Sequence, residues 1–237
     1  PTNRGVALYG DRVYLATVDA HLVALDAKTG KVAWTKQVGD SKALQYITLA
    51  PLAAKGKIMV GSSGGETGVR GFVAAFDAAT GDEKWRTFMT AAPGEPGGDT
   101  WPGDSHKQGG GSVWITGSYD PATNLSYWGT GNPAPWPTEG RKGDNLYTTS
   151  AVALDVDTGA IKGHHQYHWN DAWDWDEVSA PLLIDTEIKG KKVKAAVHAG
   201  RNGYLWLLER QASGKIGFID ALPYVHNDVF TAIDKKT

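Results

Sequence analysis

An acidic segment in the second half of the chain carries the clearest chemical signal. Residues 170–177 interleave four carboxylates with two tryptophans. If this segment is extended, the side chains of Asp174 and Asp176 point to the same face. Two carboxylates that close raise each other's pKa unless a cation lies between them, so a polyvalent cation is a natural partner. The alternative is an exposed acidic loop, although two tryptophans argue against full exposure.

Three glycine-rich segments bring further candidate groups. Glu66 lies within residues 61–71, where small residues allow close approach to a ligand, or where the carboxylate is simply solvated on a turn. Asn132, between a glycine and a proline, could bind a cation through its amide oxygen or cap the turn. Trp114 follows three glycines, and its ring could stack on a flat ligand or pack between layers of the fold.

Taken together, these donors suit a hard cation. The oxygen-bearing set is Glu66, Asn132, Asp174 and Asp176. Such a set fits calcium, or a trivalent ion of similar size, and fits zinc poorly. The histidines form no His-Glu-x-x-His pair and are interpreted as structural. The sequence contains no Walker A motif.

The elements that must position these groups repeat along the chain. Each repeat has an apolar pair, a turn of the type Asp-x-x-Thr-Gly and, in the clearest copies, Trp four residues after the glycine. The copies lie near 24–34, 75–85, 153–164 and 207–215, with a truncated copy at 232–237. In the third copy, His164 lies near the position of the ring. A repeat of about 50 residues predicts four-stranded blades of a β-propeller.

The Asp, Gly and Trp of each repeat have distinct structural roles. Asp accepts backbone N–H groups in the turn, Gly takes the positive φ, and Trp packs between neighbouring blades. No segment shows a long helical period, so the fold class is predicted as all-β with little helix. Residues 86–112 interrupt the pattern with a long insertion rich in Gly and Pro, which is either functional or an ordered surface loop.

Composition excludes several classes of protein. The chain has 237 residues, a formal charge of −2 and 41% hydrophobic residues, so a packed core is expected and a basic nucleic-acid footprint is absent. No apolar run is long enough to span a membrane. With no cysteine, disulfide frameworks and thiolate metal sites are excluded for this segment. The 30 glycines and 10 tryptophans favour tight turns between short strands with aromatic packing.

Several uncommon motifs in order resemble the quinoprotein alcohol dehydrogenases of the methanol/ethanol dehydrogenase family, which use pyrroloquinoline quinone (PQQ). The motifs are Asn3-Arg4-Gly5, residues 64–71, residues 109–114, Gly129-Thr130-Gly131-Asn132-Pro133, residues 143–147, Trp173-Asp174-Trp175-Asp176 and Arg201-Asn202-Gly203. The resemblance covers essentially all of the chain. It implies about four blades of an eight-bladed β-propeller, beginning just after the family's adjacent-cysteine pair, in a segment expected to be inactive alone.

The resemblance also implies roles for individual residues. Glu66 and Asn132 resemble metal ligands, and Asp174 resembles the catalytic base beside the metal. Trp114 resembles the ring on which PQQ stacks, and Arg201 a cation next to the quinone carbonyls. The residues that resemble groups holding PQQ are Arg4, Thr48, Ser63, Gly64, Gly65 and Ser112.

The presence of Asp176 makes the chain resemble the lanthanide-dependent branch of the family. Calcium-type members carry a small or neutral residue at that position, two places after the catalytic Asp. A further charge matches a 3+ ion better, so a lanthanide is favoured and calcium is the alternative. The resemblance implies oxidation of a primary alcohol in the periplasm, with the metal polarising a PQQ carbonyl, Asp174 taking the alcohol proton and electrons passing to a cytochrome c.

Two other functions are weighed against this one. A non-catalytic propeller scaffold would share the repeats but has no reason to keep Glu66, Asn132 and Asp174 together. A PQQ sugar dehydrogenase is disfavoured by the Gly-Asn-Pro and Trp-Asp-Trp-Asp motifs. We therefore expect the carboxylates of Glu66 and Asp174 and the amide of Asn132 to converge in the fold.

Overall fold

A computed structural model describes residues 2–226, 228–229 and 232–233. Within these residues, sixteen strands form four antiparallel sheets of four strands each, which we number as blades 1 to 4 in chain order. Blade 1 contains β1 (Ala7–Tyr9), β2 (Arg12–Ala16), β3 (His21–Asp26) and β4 (Val32–Gln37). Blade 2 contains β5 (Leu52–Ala54), β6 (Lys57–Gly61), β7 (Phe72–Asp77) and β8 (Glu83–Phe88).

The second half of the chain repeats this arrangement. Blade 3 contains β9 (Ser118–Asp120), β10 (Leu125–Gly129), β11 (Ser150–Asp155) and β12 (Ile161–Gln166). Blade 4 contains β13 (Leu182–Ile188), β14 (Lys191–Ala199), β15 (Tyr204–Arg210) and β16 (Ile216–Pro223). Helical structure in the described residues is limited to 3₁₀ turns at Ser41–Ala43, Gly65–Thr67, Gly98–Thr100, Ser105–Gln108 and Thr138–Gly140. The prediction of an all-β fold built from four-stranded antiparallel blades is confirmed.

The Asp-x-x-Thr-Gly turn joins the third and fourth strands of the first three blades. Oδ1 of Asp26 accepts the N–H groups of Lys28 and Thr29 at 3.1 and 2.7 Å, and Gly30 has a φ of +69°. Asp77 and Asp155 make the same pair of bonds in their own turns. A short polar side chain thus satisfies the backbone where the strand ends.

Tryptophan joins each of the first two blades to the next one. Trp34 Nε1 donates to Ala78 O at 3.2 Å, and Trp85 Nε1 donates to Val156 O at 3.0 Å. Each indole packs so closely on the turn glycine of the next blade that a Cβ there would lie 2.8 Å from Trp34 or 2.6 Å from Trp85. The glycine is therefore required by packing as well as by its backbone conformation.

The third repeat has glycine at the position where the first two have tryptophan. Ala24 pairs with Trp34 and Ala75 with Trp85, but in blade 3 Ala153 pairs with Gly163. Gly163, four residues after the turn glycine Gly159, therefore occupies the ring position, and His164, expected near that position, is the next residue. A one-residue difference matters because neighbouring residues of a strand face opposite sides of the sheet.

Two other boundaries differ from the predictions. Residues 86–88 belong to β8, so the long connection begins after Phe88 and not at residue 86. The predicted truncated repeat at 232–237 lies outside the described residues except for Ala232 and Ile233. Among the described residues, no helix is long and apolar enough to cross a membrane.

The apolar core lies between the blades. One buried cluster joins blades 1, 2 and 3 and includes Tyr14, Phe72, Met59 and Trp128. A second cluster joins blades 3 and 4 and includes Tyr127, Tyr167, Trp206 and Leu208. The residues of the candidate site lie in connections within blades, as Glu66 does between β6 and β7, and in connections between blades, as Asp174 and Asp176 do between β12 and β13.

Candidate metal and cofactor site

Three carboxylates from distant parts of the chain meet at one point. Oxygens of Glu66, Asp174 and Asp176 all lie within 4.8 Å of one another. Glu66 lies in the 3₁₀ turn Gly65–Thr67, after the second strand of blade 2, whereas the two aspartates lie in the connection from β12 to β13. The structure therefore brings together the three acidic members of the predicted ligand set.

The route by which the aspartates converge differs from the one expected. Asp174 has a φ of +61°, in the left-handed region, so residues 174–176 do not form an extended segment. An oxygen of each side chain nevertheless lies within 4.8 Å of an oxygen of the other. The premise of an extended acidic segment was wrong, since a left-handed aspartate cannot be recognised from strand periodicity.

Asp176 is held on both sides by groups of the predicted site. Trp114 Nε1 donates to its Oδ2 at 2.8 Å, and the backbone N–H of Asn132 donates to its Oδ1 at 2.9 Å. A Cβ at Gly131 would collide with Oδ1, so glycine is needed for this approach. Each carboxylate oxygen still has a further lone-pair direction for a cation.

Asn132 reaches the group through its backbone. Its side-chain amide is buried, and Nδ2 donates to Pro133 O at 3.2 Å. Its backbone N–H bond to Asp176 joins Asn132 to the acidic group.

All three carboxyl groups are electrostatically disfavoured as anions. Burial, followed by the charges of Asp176 and Asp174, raises the pKa of Glu66 above its usual range. Burial also raises the pKa of Asp174, against the lowering effect of Arg201. Burial raises the pKa of Asp176 as well, although the bonds from Asn132 and Trp114 oppose it. A bound cation would reverse these shifts, because it stabilises the charged forms.

A cavity of about 370 Å³ adjoins the carboxylates. It is lined by nine of the predicted residues, namely Arg4, Thr48, Ser63, Gly64, Gly65, Glu66, Ser112, Trp114 and Asp176. Ser112 Oγ accepts the N–H of Gly65 at 2.8 Å, and a Cβ at Gly65 would collide with that hydroxyl. Small residues at these positions leave room for a ligand where side chains would otherwise fill the space.

The cavity combines an aromatic surface with polar groups. The guanidinium carbon of Arg4 lies 4.8 Å from the centre of the Trp114 ring. Thr48 Oγ1 and Ser63 Oγ lie 3.3 Å apart, and both residues are buried. A flat, polyanionic molecule fits such a surface, because the indole offers stacking while the cation and hydroxyls bind its oxygens.

Arg201 lies at the edge of the acidic group and not in the lining of the cavity. Its Nη1 is 3.5 Å from the backbone oxygen of Asp174. Its backbone N–H is accepted by both oxygens of the buried Glu177, at 2.9 and 3.2 Å, and Glu177 also bonds His198 Nε2 at 2.6 Å. Blade 4 thus places a cation beside the residue predicted to be the base.

Sequence reasoning missed some of the surroundings. Thr2, Val18 and Tyr46 also line the cavity. Tyr46 is there because it pairs with Ser63 through an isolated β-bridge, for which the sequence contains no motif. Asp171 was recognised as acidic but given no role, and its contacts are described below.

Comparison with known proteins agrees with this geometry. The family described as "PQQ: Glucose/ethanol/alcohol dehydrogenase, beta-propeller domain" matches residues 2–223. The chain belongs to this PQQ dehydrogenase family. It is 43% identical to the quinoprotein alcohol dehydrogenase PedH of Pseudomonas putida, over 98% of this chain and 42% of that protein. It is 39% identical to the lanthanide-dependent methanol dehydrogenase of Methylacidiphilum fumariolicum, over 99% of this chain and 41% of that protein.

A solved structure in the PQQ family supports the fold as well. A europium-containing methanol dehydrogenase superposes with a TM-score of 0.93 and 38% identity, covering 99% of this chain and 44% of that chain. The chain therefore spans about two fifths of the length of these PQQ relatives. The donor set fits the groups that the family implies, since oxygen ligands suit a hard cation and the glycine-lined cavity beside Trp114 suits a flat quinone.

Proposed function

We propose that the complete protein oxidises a primary alcohol to the aldehyde, using PQQ and one metal ion. The observation that carries this proposal is the meeting of Glu66, Asp174 and Asp176 beside a cavity walled by Trp114. Three carboxylates in one small space repel one another, and a bound cation would favour their charged forms. Membership of the PQQ family supports PQQ as the occupant of the adjoining cavity.

The metal ligands in this proposal are Glu66, Asn132, Asp174 and Asp176. A lanthanide is the favoured ion, and calcium is the alternative. Asp176 supports the 3+ ion because it adds a third carboxylate, and greater ligand charge favours the ion of greater charge. The groups proposed to hold PQQ are Arg4, Thr48, Ser63, Gly64, Gly65, Ser112, Trp114 and Arg201.

The bound cofactor would accept a hydride from the alcohol carbon, assisted by the metal as a Lewis acid. The chain's own contribution is to accept the alcohol proton on a carboxylate oxygen of Asp174. Burial raises the pKa of this group, so its anion is a stronger base than an ordinary aspartate. Arg201, close to the Asp174 backbone, lowers that pKa and so favours the ionised carboxylate that must accept the proton.

The remaining parts of the proposal rest on the family. We propose a cytochrome c as the electron acceptor and the periplasm as the compartment. The relatives include a methanol dehydrogenase named for cytochrome c, from Methylorubrum extorquens, at 36% identity.

The test is alcohol oxidation by the full-length protein supplied with PQQ and either calcium or lanthanum. Activity is expected with at least one ion, and Asp174→Asn should reduce kcat by about 100-fold or more, because the general base is lost. Asp155→Asn is the matched control, since it changes a turn aspartate of blade 3 away from the site. A protein that takes up neither ion nor PQQ would instead fit the scaffold function.

The choice of ion is tested by Asp176→Ala in the same protein. Removing one carboxylate should weaken lanthanum-supported activity more than calcium-supported activity, because the 3+ ion depends more on ligand charge. Equal losses with both ions would remove the argument for a lanthanide site.

A further inference from the structure

Asp171 shapes the turn that carries the two site aspartates. Its Oδ1 accepts the N–H of Trp173 at 3.0 Å, and its Oδ2 accepts the N–H of Trp175 at 2.9 Å. Asp171 is 1% exposed, so both bonds form away from solvent. One side chain thus binds the backbone on either side of Asp174, whose φ is +61°.

Asp171 is itself anchored by a buried arginine. Arg141 is fully buried, and its Nη2 donates to the backbone oxygen of Asp171. The same guanidinium donates to Pro135 O at 2.5 Å and to Trp136 O at 2.8 Å. Arg141 therefore ties the acidic turn to the segment that follows Asn132.

These contacts link the segment at Asn132 to the acidic turn in two places. On one side, the N–H of Asn132 binds Asp176 directly. On the other, Arg141 joins residues 135–136 to Asp171, which in turn binds the backbone at Trp173 and Trp175. The Asn132 segment and the acidic turn are thus joined at two points, which fixes their relative position.

A left-handed aspartate needs such support. The left-handed conformation is unfavourable for most residues with a Cβ, although aspartate adopts it more readily than most, and like charges on Asp174 and Asp176 add repulsion when no cation is bound. Without the two bonds to Asp171, the turn would be free to relax and to move the carboxylates apart.

We propose that Asp171 is a positioning residue that holds Asp174 and Asp176 towards Glu66 before a metal ion binds. Asp171 is not a member of the group of close carboxylates, and both of its oxygens accept backbone bonds. It acts through the backbone and touches no ion. The inference rests on the proposed function, because the ion whose site it arranges is the one proposed there.

The experiment is a titration of the full-length protein, free of PQQ, with terbium(III), followed by tryptophan-sensitised luminescence. Trp114 donates to Asp176, so an indole lies next to the proposed ion. Asp171→Asn keeps the size of the side chain but replaces one acceptor by an NH₂ group. Losing one charge-assisted bond in a buried turn should weaken terbium binding about tenfold.

The matched control is Asp155→Asn. Asp155 also accepts two backbone N–H groups in a turn of the same region of the chain, from Asp157 and Thr158, both at 2.9 Å. This variant should lose thermal stability while keeping the terbium affinity of the wild type. If Asp171→Asn does not fold, Asp171→Ser, which retains one acceptor in a smaller side chain, replaces it with the same expectation.

The outcomes separate the inference from the proposed function. Wild-type terbium affinity in a folded Asp171 variant would overturn the positioning role and leave the metal site standing. So would an equal loss of affinity in Asp155→Asn, because the effect would then be general. A wild-type protein that bound no terbium would overturn the metal site itself, and the positioning role with it.

Discussion

Neighbouring blades pack together in two different ways. One is seen between blades 2 and 3, and the other between blades 3 and 4. In the first, Trp85 lies on the turn glycine of the next blade and donates to Val156 O. In the second, Gly163 occupies the equivalent register, and its backbone closely approaches the turn at Gly214. The repeat therefore does not impose one mode of docking.

Rings and charges replace the indole between blades 3 and 4. His165 lies 5.2 Å from Trp206 and stacks on Phe218 at 6.0 Å, centre to centre. Arg210 of blade 4 pairs with the buried Asp120 of blade 3 at 2.6 Å. This interface contains ionisable groups where the other is mainly apolar, so the two should respond differently to pH and to mutation.

The largest expected effect is at the tryptophan-docked interface. Trp85→Ala removes an indole that is 8% exposed, together with its hydrogen bond, and should lower the free energy of unfolding by about 3–5 kcal/mol. Urea unfolding of the full-length protein measures this loss. Trp34→Ala, at a more exposed ring with the same type of bond, should cost less. Equal losses would mean that burial does not set the strength of docking.

The glycine-docked interface should be sensitive to added volume. A Cβ at Gly163 would collide with Gly214 O, so Gly163→Ala should destabilise the protein by up to about 3 kcal/mol. Gly140→Ala is the control, because no atom lies within 4 Å of its Cβ position, and it should change stability by less than about 0.5 kcal/mol. If Gly163→Ala left the free energy of unfolding unchanged, blades 3 and 4 would be able to move apart slightly without loss of stability.

Acid should weaken the interface between blades 3 and 4 through His165. Burial, followed by the charges of His164 and His198, lowers the pKa of His165 to about 4. The unfolded chain, with a pKa near 6.5, therefore binds the proton first, so this group's contribution is complete above about pH 6.5 and is lost as the pH falls towards 4. Between pH 7 and 4.5 the loss should be about 2 kcal/mol.

His165→Phe removes this titration while keeping a ring at the interface. The fall in unfolding free energy between pH 7 and 4.5 should be smaller in the variant than in the wild type, by about 2 kcal/mol. An unchanged pH dependence would show that His165 binds its proton as readily in the folded protein as in the unfolded chain.

The smallest effect is expected for an exposed ion pair at the interface between blades 2 and 3. Lys57 and Lys55 lie 2.8 and 3.4 Å from Asp157, whose side chain is 49% exposed. Asp157→Asn should therefore change the free energy of unfolding by less than about 1 kcal/mol. A larger loss in urea unfolding at low salt would show that charge, and not the indole, dominates this interface.

Much of the fold was predictable because its signals are local. Asp26, Thr29 and Gly30 make their turn with bonds inside the turn itself, so the same letters produce the same structure in three blades. The three carboxylates that meet in the structure were also recognisable as a group, since oxygen donors in glycine-rich segments are uncommon in ordinary strands. The packing at Gly163 was not, because this residue occupies the position of Trp34 and Trp85 and has no side chain that could signal a contact with the next blade.

The sequence alone determined the repeating four-stranded unit, the oxygen-only character of the donors and the indole of Trp114, because these follow from residue type and short spacing. Only the tertiary structure decided that Glu66 meets Asp174 and Asp176, that Asp174 is left-handed and that Asp171 holds its turn. The first of these depends on how blades pack across more than a hundred residues of chain, and the other two on a turn whose Asp171 is anchored by Arg141, 30 residues earlier. No local pattern specifies contacts at such separations.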